Sequence, residues 1–404
     1  SGADAEAAGE GKGFRAEALS AQPDDVATII YTSGTTGDPK GVMLTHDNIW
    51  FNVKSALRYY DLGPSDVTLS FLPLSHILER MAGHYGLFCV GATINYAESI
   101  DTVPQDLMDV APTFVTSVPR LYEKIYARVL ENALAGGAVK KRIFFWAKDV
   151  GERWADLRLA KQPVPGLLQF QYNLATKLVF SKLQARTGGN MRFFISGGAP
   201  LPADVAKFFY SAGLPIYEGY GLTETSPVIS VNHVHQIRLA TVGPVIDEVE
   251  VKIAEDGEIL TRGRHVMKGY YNKPEATAEV LTAEGWFHTG DIGELDPDGF
   301  LKITDRKKDL IVTAGGKNIA PQPIEGMVKH SKYVANAVML GDKRKFCIML
   351  VVPQFEHLEP WAKRKNLVFA DRDALIRLPA VQDKMQREVF RQLEGLAKYE
   401  LPKK

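Results

Sequence analysis

The sequence predicts an α/β fold, with parallel sheets flanked by helices, followed by a β-rich subdomain and a small α+β C-terminal domain. Three observations predict it. Short β-branched runs alternate with helical periodicity from Val26 to Glu218, which implies a mostly parallel sheet. Two turn strings, Glu255-Asp256-Gly257 and Asp296-Pro297-Asp298-Gly299, then separate short strands. The dense charged run Asp305-Arg306-Lys307-Lys308-Asp309 precedes a mixed segment and marks a candidate boundary.

The 404 residues, 45% hydrophobic and 24% charged, suit a globular chain of two domains. Lys+Arg and Asp+Glu both total 48, which argues against a nucleic-acid partner recruited by bulk charge. Cys89 and Cys347 lie far apart in apolar runs and lack metal-ligand spacing, so buried free thiols in a reducing compartment are expected. Ser1–Glu6 lacks the basic start and apolar core of a signal peptide. No apolar run nears the ~20 residues needed to span a bilayer. A cytoplasmic location is expected.

Residues 1–22 are small and polar and are expected to be flexible. Residues 23–304 then form the larger domain. Val26–Tyr31 is a strand entering a Gly-rich loop, and Ile49, Val53, Ala56, Leu57 and Tyr60 place a helix after it, with Asp47 as N-cap. The loop is thus expected to join a strand to a helix. Strands follow at Val67–Leu72, Ala92–Tyr96, Phe114–Val118, Arg192–Ser196 and Pro215–Glu218. Helices follow at Ile77–Val90, ending at Gly91, and at Ala203–Ala212, stopped by Gly213. Hairpin strands are expected at Glu250–Ala254 and Glu258–Thr261, then at Trp286–Asp291 and Phe300–Thr304. Residues 305–404 carry strands at Ala337–Leu340 and Cys347–Val352 and a charged helix at Asp383–Tyr399.

Residues 121–190 interrupt the alternation with a long, basic, helical insertion. From Arg120 to Arg192 there are fourteen basic and five acidic residues, interleaved with Phe144, Phe145, Trp146, Trp154, Leu167, Leu168, Phe170 and Tyr172. Two readings fit: surface helices with solvated charge, or a peripheral contact with an anionic membrane.

The loop Thr32-Ser33-Gly34-Thr35-Thr36-Gly37-Asp38-Pro39-Lys40-Gly41 combines glycine-freed amides, hydroxyls and one ammonium group. Those groups form a cradle for phosphate oxygens. It departs from the Walker A pattern, because Lys40 follows proline and precedes glycine.

This string resembles the signature of the adenylate-forming superfamily of acyl-CoA synthetases, peptide-synthetase adenylation domains and luciferases. Four further strings resemble that family's motifs in order. They are Ser196-Gly197-Gly198-Ala199-Pro200 (adenine-side loop), Tyr217-Glu218-Gly219-Tyr220-Gly221-Leu222-Thr223-Glu224-Thr225 (central motif), Trp286-Phe287-His288-Thr289-Gly290-Asp291 (ribose motif) and Asp305–Asp309 (hinge). The resemblance implies ATP, Mg²⁺ and coenzyme A. It places Thr32, Ser33, Gly34, Thr35, Thr36, Gly37, Lys40, Gly197, Gly198, Ala199, Glu218, Gly219, Tyr220, Gly221, Thr223, Asp291, Arg306 and Lys308 at the nucleotide. Tyr220 offers a π face for adenine, and Gly198 and Gly221 permit close backbone approach. Glu224 is the implied Mg²⁺ ligand. Thr223, Glu224 and Lys40 are the implied catalytic residues. Asp291 would accept the ribose hydroxyls, with Arg306 as a second ribose contact. Lys308 matches the hinge about which the family's mobile C-terminal domain rotates, and Gly315-Gly316-Lys317-Asn318 resembles the loop brought to the thiol.

Phe71-Leu72-Pro73-Leu74-Ser75-His76-Ile77 resembles the family's acyl-pocket segment, and no acid follows until Glu79, which disfavours amino-acid substrates. The basic insertion resembles long-chain fatty acyl-CoA synthetases, so a long-chain fatty acid is the expected carboxylate. His76 and Trp50 either border the acyl site or pack in the core. An acyl-AMP ligase that never uses coenzyme A, and a catalytically silent nucleotide- or membrane-binding remnant, are the alternatives. The family has a large portion before the first loop and a lysine near its end, in a stretch resembling TPTLKVKR. Here the loop starts near residue 31 and the sequence closes on Leu401-Pro402-Lys403-Lys404, so an internal portion of a longer enzyme, without an assigned adenylation lysine, is expected.

Overall fold

A computed structural model describes residues 11–32, 38–314 and 317–403. Ser33, Gly34, Thr35, Thr36, Gly37, Gly315 and Gly316 lie outside the described residues. The first element, α1 (Gly11–Ser20), is a helix where the small, polar composition suggested a flexible segment.

Strand β1 (Val26–Thr32) leads to the Gly-rich string, and β2 (Lys40–Thr45) follows it. The string therefore joins two antiparallel strands, with Thr32 opposite Lys40. That corrects the expected strand-to-helix junction. The stretch between the loop and the helix is a strand because Val42 and Leu44 are fully buried, in a small core with Ile30, Ile77, Met267, Tyr270 and Phe287. Helix α2 (His46–Leu57) comes next, capped by Thr45. Thr45 and Asn48 form a reciprocal capping box. Asp47, the expected cap, pairs instead with Arg264, whose guanidinium lowers the carboxyl pKa.

The main sheet holds β3 (Val67–Ser70), β4 (Thr93–Tyr96), β5 (Phe114–Ser117), β6 (Phe193–Ser196), β7 (Ile216–Gly221) and β8 (Val228–Val231), in the order β4-β3-β5-β6-β7-β8. The first five run parallel, and β8 is antiparallel to β7. Phe114, Val115 and Phe194 are fully buried in it. The expected helix after β3 forms as α3 (Ile77–Arg80), a π turn (Met81–Tyr85) and α4 (Gly86–Val90), and Gly91 closes it at φ 73°. Helix α5 (Val103–Val110) precedes β5.

The insertion contains α6 (Pro119–Ala135), α7 (Ala138–Leu159), α8 (Gly166–Ala175), a π turn (Thr176–Phe180) and α9 (Ser181–Arg186). Their inner faces join the main core through Tyr122, Phe144, Ala147, Val150, Phe180 and Leu183. Helix α10 (Ala203–Ser211) supplies Val205, Phe208 and Phe209 to the same core. Strands β9 (Glu250–Ile253), β10 (Glu258–Arg262), β12 (Phe287–Leu295) and β13 (Leu301–Arg306) form a four-stranded sheet in the order β13-β12-β10-β9. Strand β11 (Gly269–Tyr270) pairs with β2.

The chain divides into two compact units. The second comprises Glu255–Ile259, Gly290–Glu294 and Ile303–Lys404. Its core gathers Ile311, Ile319, Ile324, Val328, Ala337, Met339, Cys347 and Met349. There the expected strands form as Val334–Leu340 and Ile348–Pro353. The last helix, Pro379–Gln392, ends before the expected Tyr399, and Gly395 follows at φ 97°. Both cysteines are free, but Cys89 is exposed, contrary to the expected burial. No helix among the described residues is long and apolar enough to cross a membrane.

Candidate functional site

In the first unit, two of the sequence motifs meet at the carboxyl ends of neighbouring parallel strands. Strand β6 delivers Gly197, Gly198 and Ala199, and β7 carries Glu218, Gly219, Tyr220 and Gly221. Ser196 and Glu218 are register partners. Gly198 has φ 82°, a backbone that favours glycine. Glu218 is buried, and the Leu201 N–H donates to its Oε1 at 3.1 Å, which ties the glycine loop to β7. Burial pushes the Glu218 carboxyl up to about 7, opposed by that hydrogen bond. Strand β7 runs further than expected, so Tyr220 and Gly221 lie within it. A side chain at 221 would place Cβ 1.6 Å from the Pro227 carbonyl oxygen, so only glycine fits.

Thr223 and Glu224 sit on a 3₁₀ turn, Thr223–Thr225, held from several directions. The buried Thr225 hydroxyl donates to the Pro227 carbonyl at 2.5 Å and accepts from the Leu222 N–H at 2.9 Å. Asn52 on α2 is fully buried; its Nδ2 donates to the Val228 carbonyl at 2.8 Å, and the Val228 N–H donates to its Oδ1 at 3.1 Å. The Met267 N–H donates to the Glu224 carbonyl at 2.8 Å. On the side chain, the Tyr270 O–H donates to Glu224 Oε1 at 2.8 Å. Burial, and then the nearby carboxylate, raise the Tyr270 pKa, so the phenol stays a neutral donor. The Lys40 ammonium lies over the same ring, 4.8 Å from its centre. Lys40, Tyr270 and Glu224 thus form a cation, phenol and carboxylate in series, although Lys40 and Glu224 lie far apart in sequence.

This arrangement suits a polyphosphate with its metal. Tyr270 takes one oxygen of Glu224, and no other described residue bonds that side chain. A hard cation can use the second oxygen. Among the described residues no group of three or more His, Cys, Asp or Glu gathers to hold a metal. A cation here would take one protein carboxylate, with phosphate and water oxygens for the rest, which is how Mg²⁺ is commonly held.

The second unit contains a separate group. Asp291 on β12 is buried, and Arg306 at the end of β13 places its Nε 3.8 Å from Asp291 Oδ1. Lys307 pairs with Asp256 at 2.6 Å and with the buried Glu258 at 2.8 Å. Glu258 Oε1 also accepts from the Gly290 N–H at 2.9 Å, and the Lys307 N–H donates to the Gly290 carbonyl at 2.8 Å. These bonds fix the backbone on either side of Asp291 and Arg306. Lys308 follows in the turn after β13. Asp305 is buried, accepts from the Arg306 N–H at 2.6 Å, and has its carboxyl pushed up to about 6, chiefly by burial.

In the segment resembling an acyl pocket, His76 is exposed and caps α3 by accepting from the Leu78 N–H at 3.2 Å. Trp50 is also exposed, so neither is a core residue. Flanking the same segment, the Ser70 hydroxyl donates to the buried Glu79 at 2.5 Å, and burial pushes that carboxyl up to about 7.

Tyr270, Asn52, Lys307 and Glu258 are supporting residues that the sequence reading missed. Only Tyr270 carried a signal, an aromatic pair after glycine in Gly269-Tyr270-Tyr271.

Residues 2–271 match the AMP-binding enzyme family, and residues 308–376 match the AMP-binding enzyme C-terminal domain. The chain belongs to this family. This AMP-binding enzyme is 41% identical over 345 residues to the long-chain-fatty-acid–CoA ligase FadD15 of Mycobacterium bovis, covering 85% of the chain and 56% of the relative. It is 39% identical over 353 residues to the long-chain-fatty-acid–CoA ligase ACSBG2 of Rattus norvegicus, covering 84% of the chain and 52% of the relative. The chain therefore spans about half the length of these relatives. The ATP-bound structure of MatB from Rhodopseudomonas palustris superposes with a TM-score of 0.66 at 26% identity, covering 95% of the chain and 64% of MatB. MenE from Bacillus subtilis, in complex with ATP and magnesium ion, gives 0.65 at 25% identity, covering 95% and 66%. The adenylate-forming enzyme fold expected from the motifs is the fold of this AMP-binding enzyme.

Proposed function

We propose that this AMP-binding enzyme activates a long-chain fatty acid with ATP and passes the acyl group to coenzyme A. A carboxylate oxygen attacks the α-phosphorus of ATP and pyrophosphate leaves. The coenzyme A sulfur then attacks the acyl carbon and AMP leaves. Catalysis of the first step is positioning and charge neutralisation. Glu224 would hold a Mg²⁺ ion that neutralises phosphate charge, Lys40 meets phosphate oxygens, Thr223 donates to the α-phosphate, Tyr220 stacks on adenine, and Asp291 with Arg306 holds the ribose. Coenzyme A enters in the second step, after the hinge at Lys308 has turned.

The observation that carries this reading is the hydrogen bond from Tyr270 to Glu224 with Lys40 over the same ring, which gathers cation and anion ligands from three separate elements. The names of the relatives support the fatty acid and coenzyme A. Incubation of the enzyme with oleate, ATP and Mg²⁺ is expected to release pyrophosphate, and added coenzyme A to yield oleoyl thioester. Release with short or aromatic acids alone would overturn the substrate class. A further part of the reading is that the basic helical insertion brings the enzyme to an anionic lipid surface, where a poorly soluble fatty acid resides.

A further inference from the structure

The insertion has one helix whose two faces are both apolar. The inner face of α8 is accounted for. Ala175 belongs to the main core, Leu168 and Tyr172 pack against it, and Trp154 stacks on Tyr172 with ring centres 4.0 Å apart. Trp154 Nε1 also donates to Gln169 at 3.1 Å. The outer face has no such role. Leu167 is 72% exposed and Phe170 68%, and Leu174 and Leu178 continue the exposed row into the π turn. At ~100° per residue, Leu167, Phe170 and Leu174 fall within an arc of about 60°. They form a stripe rather than scattered surface residues.

Charge along this stretch of the chain has one sign. From Leu157 to Ala203 the chain has no Asp or Glu, while Arg158, Lys161, Lys177, Lys182, Arg186 and Arg192 are all basic. Arg192 pairs with Asp66. Lys161, Lys177, Lys182 and Arg186 are exposed, and among the described residues none has an ion-pair partner. An exposed apolar stripe flanked in the chain by exposed, unpaired cations matches an anionic lipid surface, where the stripe enters the acyl boundary and the cations meet headgroups. A second copy of the chain on this face would set cation against cation.

We propose that α8 is the lipid-docking element of this protein, with Leu167, Phe170, Leu174 and Leu178 inserting into an anionic membrane and Lys161, Lys177, Lys182 and Arg186 contacting its headgroups. The helix lies in the plane of the interface. This inference deepens, and rests on, the reading that the basic insertion meets a membrane.

The test is co-sedimentation of the 404-residue chain with phosphatidylcholine vesicles, with and without phosphatidylserine. Binding is expected only with phosphatidylserine and is expected to fall as salt rises. The Leu167→Gln/Phe170→Gln pair should weaken binding by about tenfold or more. Both sites face solvent, so the melting temperature and ATP binding without vesicles should stay unchanged. The Leu134→Gln/Val139→Gln pair, exposed elsewhere on the insertion, should bind as the parent does. If the parent does not sediment with anionic vesicles, the membrane reading itself fails. If the parent binds and the α8 pair binds equally, the assignment to α8 is overturned while the membrane reading survives. Loss of a dimer in the α8 pair, with lipid binding intact, would assign the stripe to a second copy and overturn the proposal.

Discussion

Glu224 and Asp291 are both carboxylates proposed to face the nucleotide, yet the chain holds them differently. Glu224 sits on a short turn that would not be rigid alone. It is fixed by Tyr270 from β11, by Asn52 from α2 on its flank and by the backbone of Met267. Asp291 sits on a regular strand, and its surroundings are set by the neighbouring strand end, where Lys307 pairs with Glu258 and Asp256. The Lys307 side chain is 44% exposed, so solvent and salt reach that clamp. The first carboxylate is therefore part of the packed framework, and disturbing its supports costs stability and activity together. The second depends on a clamp exposed at Lys307 and buried at Glu258, where salt weakens one end while loss of the lysine would strand a buried carboxylate.

The largest effect that sharpens this contrast is expected from Glu224→Gln. Losing the charge opposite the metal should lower pyrophosphate release by roughly 10²–10³-fold with the fold intact. A loss below tenfold would remove Glu224 from the charge-neutralising role. Asn52→Ala should destabilise the first unit by about 2–3 kcal/mol, because it strands a buried donor and a buried acceptor of Val228. Chemical denaturation measures this, and an unchanged midpoint would mean that the turn does not depend on Asn52. Tyr270→Phe keeps the ring under Lys40 and removes the hydroxyl. It should cost about tenfold in pyrophosphate release and raise the Mg²⁺ concentration needed for half-maximal rate. An unchanged Mg²⁺ requirement would show that the hydroxyl does not tune Glu224.

Effects in the second unit should be smaller. The Asp305 carboxyl is raised to about 6 in the fold, against an ordinary 3.8. The fold therefore favours its protonated form. That contribution is fully present below about pH 4 and is lost as pH rises through about 6. Asp305→Asn should flatten the stability slope across this window, because the buried amide stays neutral at every pH. A slope identical to the parent's would place the pH dependence elsewhere.

Much of the fold was legible in the sequence, because its signals are local. The alternation of β3 to β7 with helices, the stops at Gly91 and Gly213, and the two Asp-Gly turns all depend on neighbours in the chain. Strand β2 was missed for the opposite reason. Its lysine and glycine read as the end of the Gly-rich loop, while burial of Val42 and Leu44 against residues near 270 makes it a strand. Asp47 reads as the cap because its competing bond to Arg264, 217 residues away, leaves no local signal. The candidate site divides in the same way. Motif residues such as Gly198, Tyr220 and Glu224 stand in recognisable strings. Their supports do not, since Tyr270 reaches Glu224 across 46 residues and Asn52 reaches Val228 across 176. Gly221 was read as a glycine that admits the nucleotide, and its lack of a side chain is already required by Pro227.

The central claim is that Glu224, supported by Tyr270, carries the metal-dependent part of nucleotide binding. Calorimetric titration of ATP into the parent chain and into Glu224→Gln, each with and without Mg²⁺, tests it most directly. The parent should bind ATP more tightly with Mg²⁺ than without, and Glu224→Gln should lose that difference while still binding the metal-free nucleotide. If Glu224→Gln keeps the full Mg²⁺-dependent gain, the metal is held elsewhere and the account of this site is wrong.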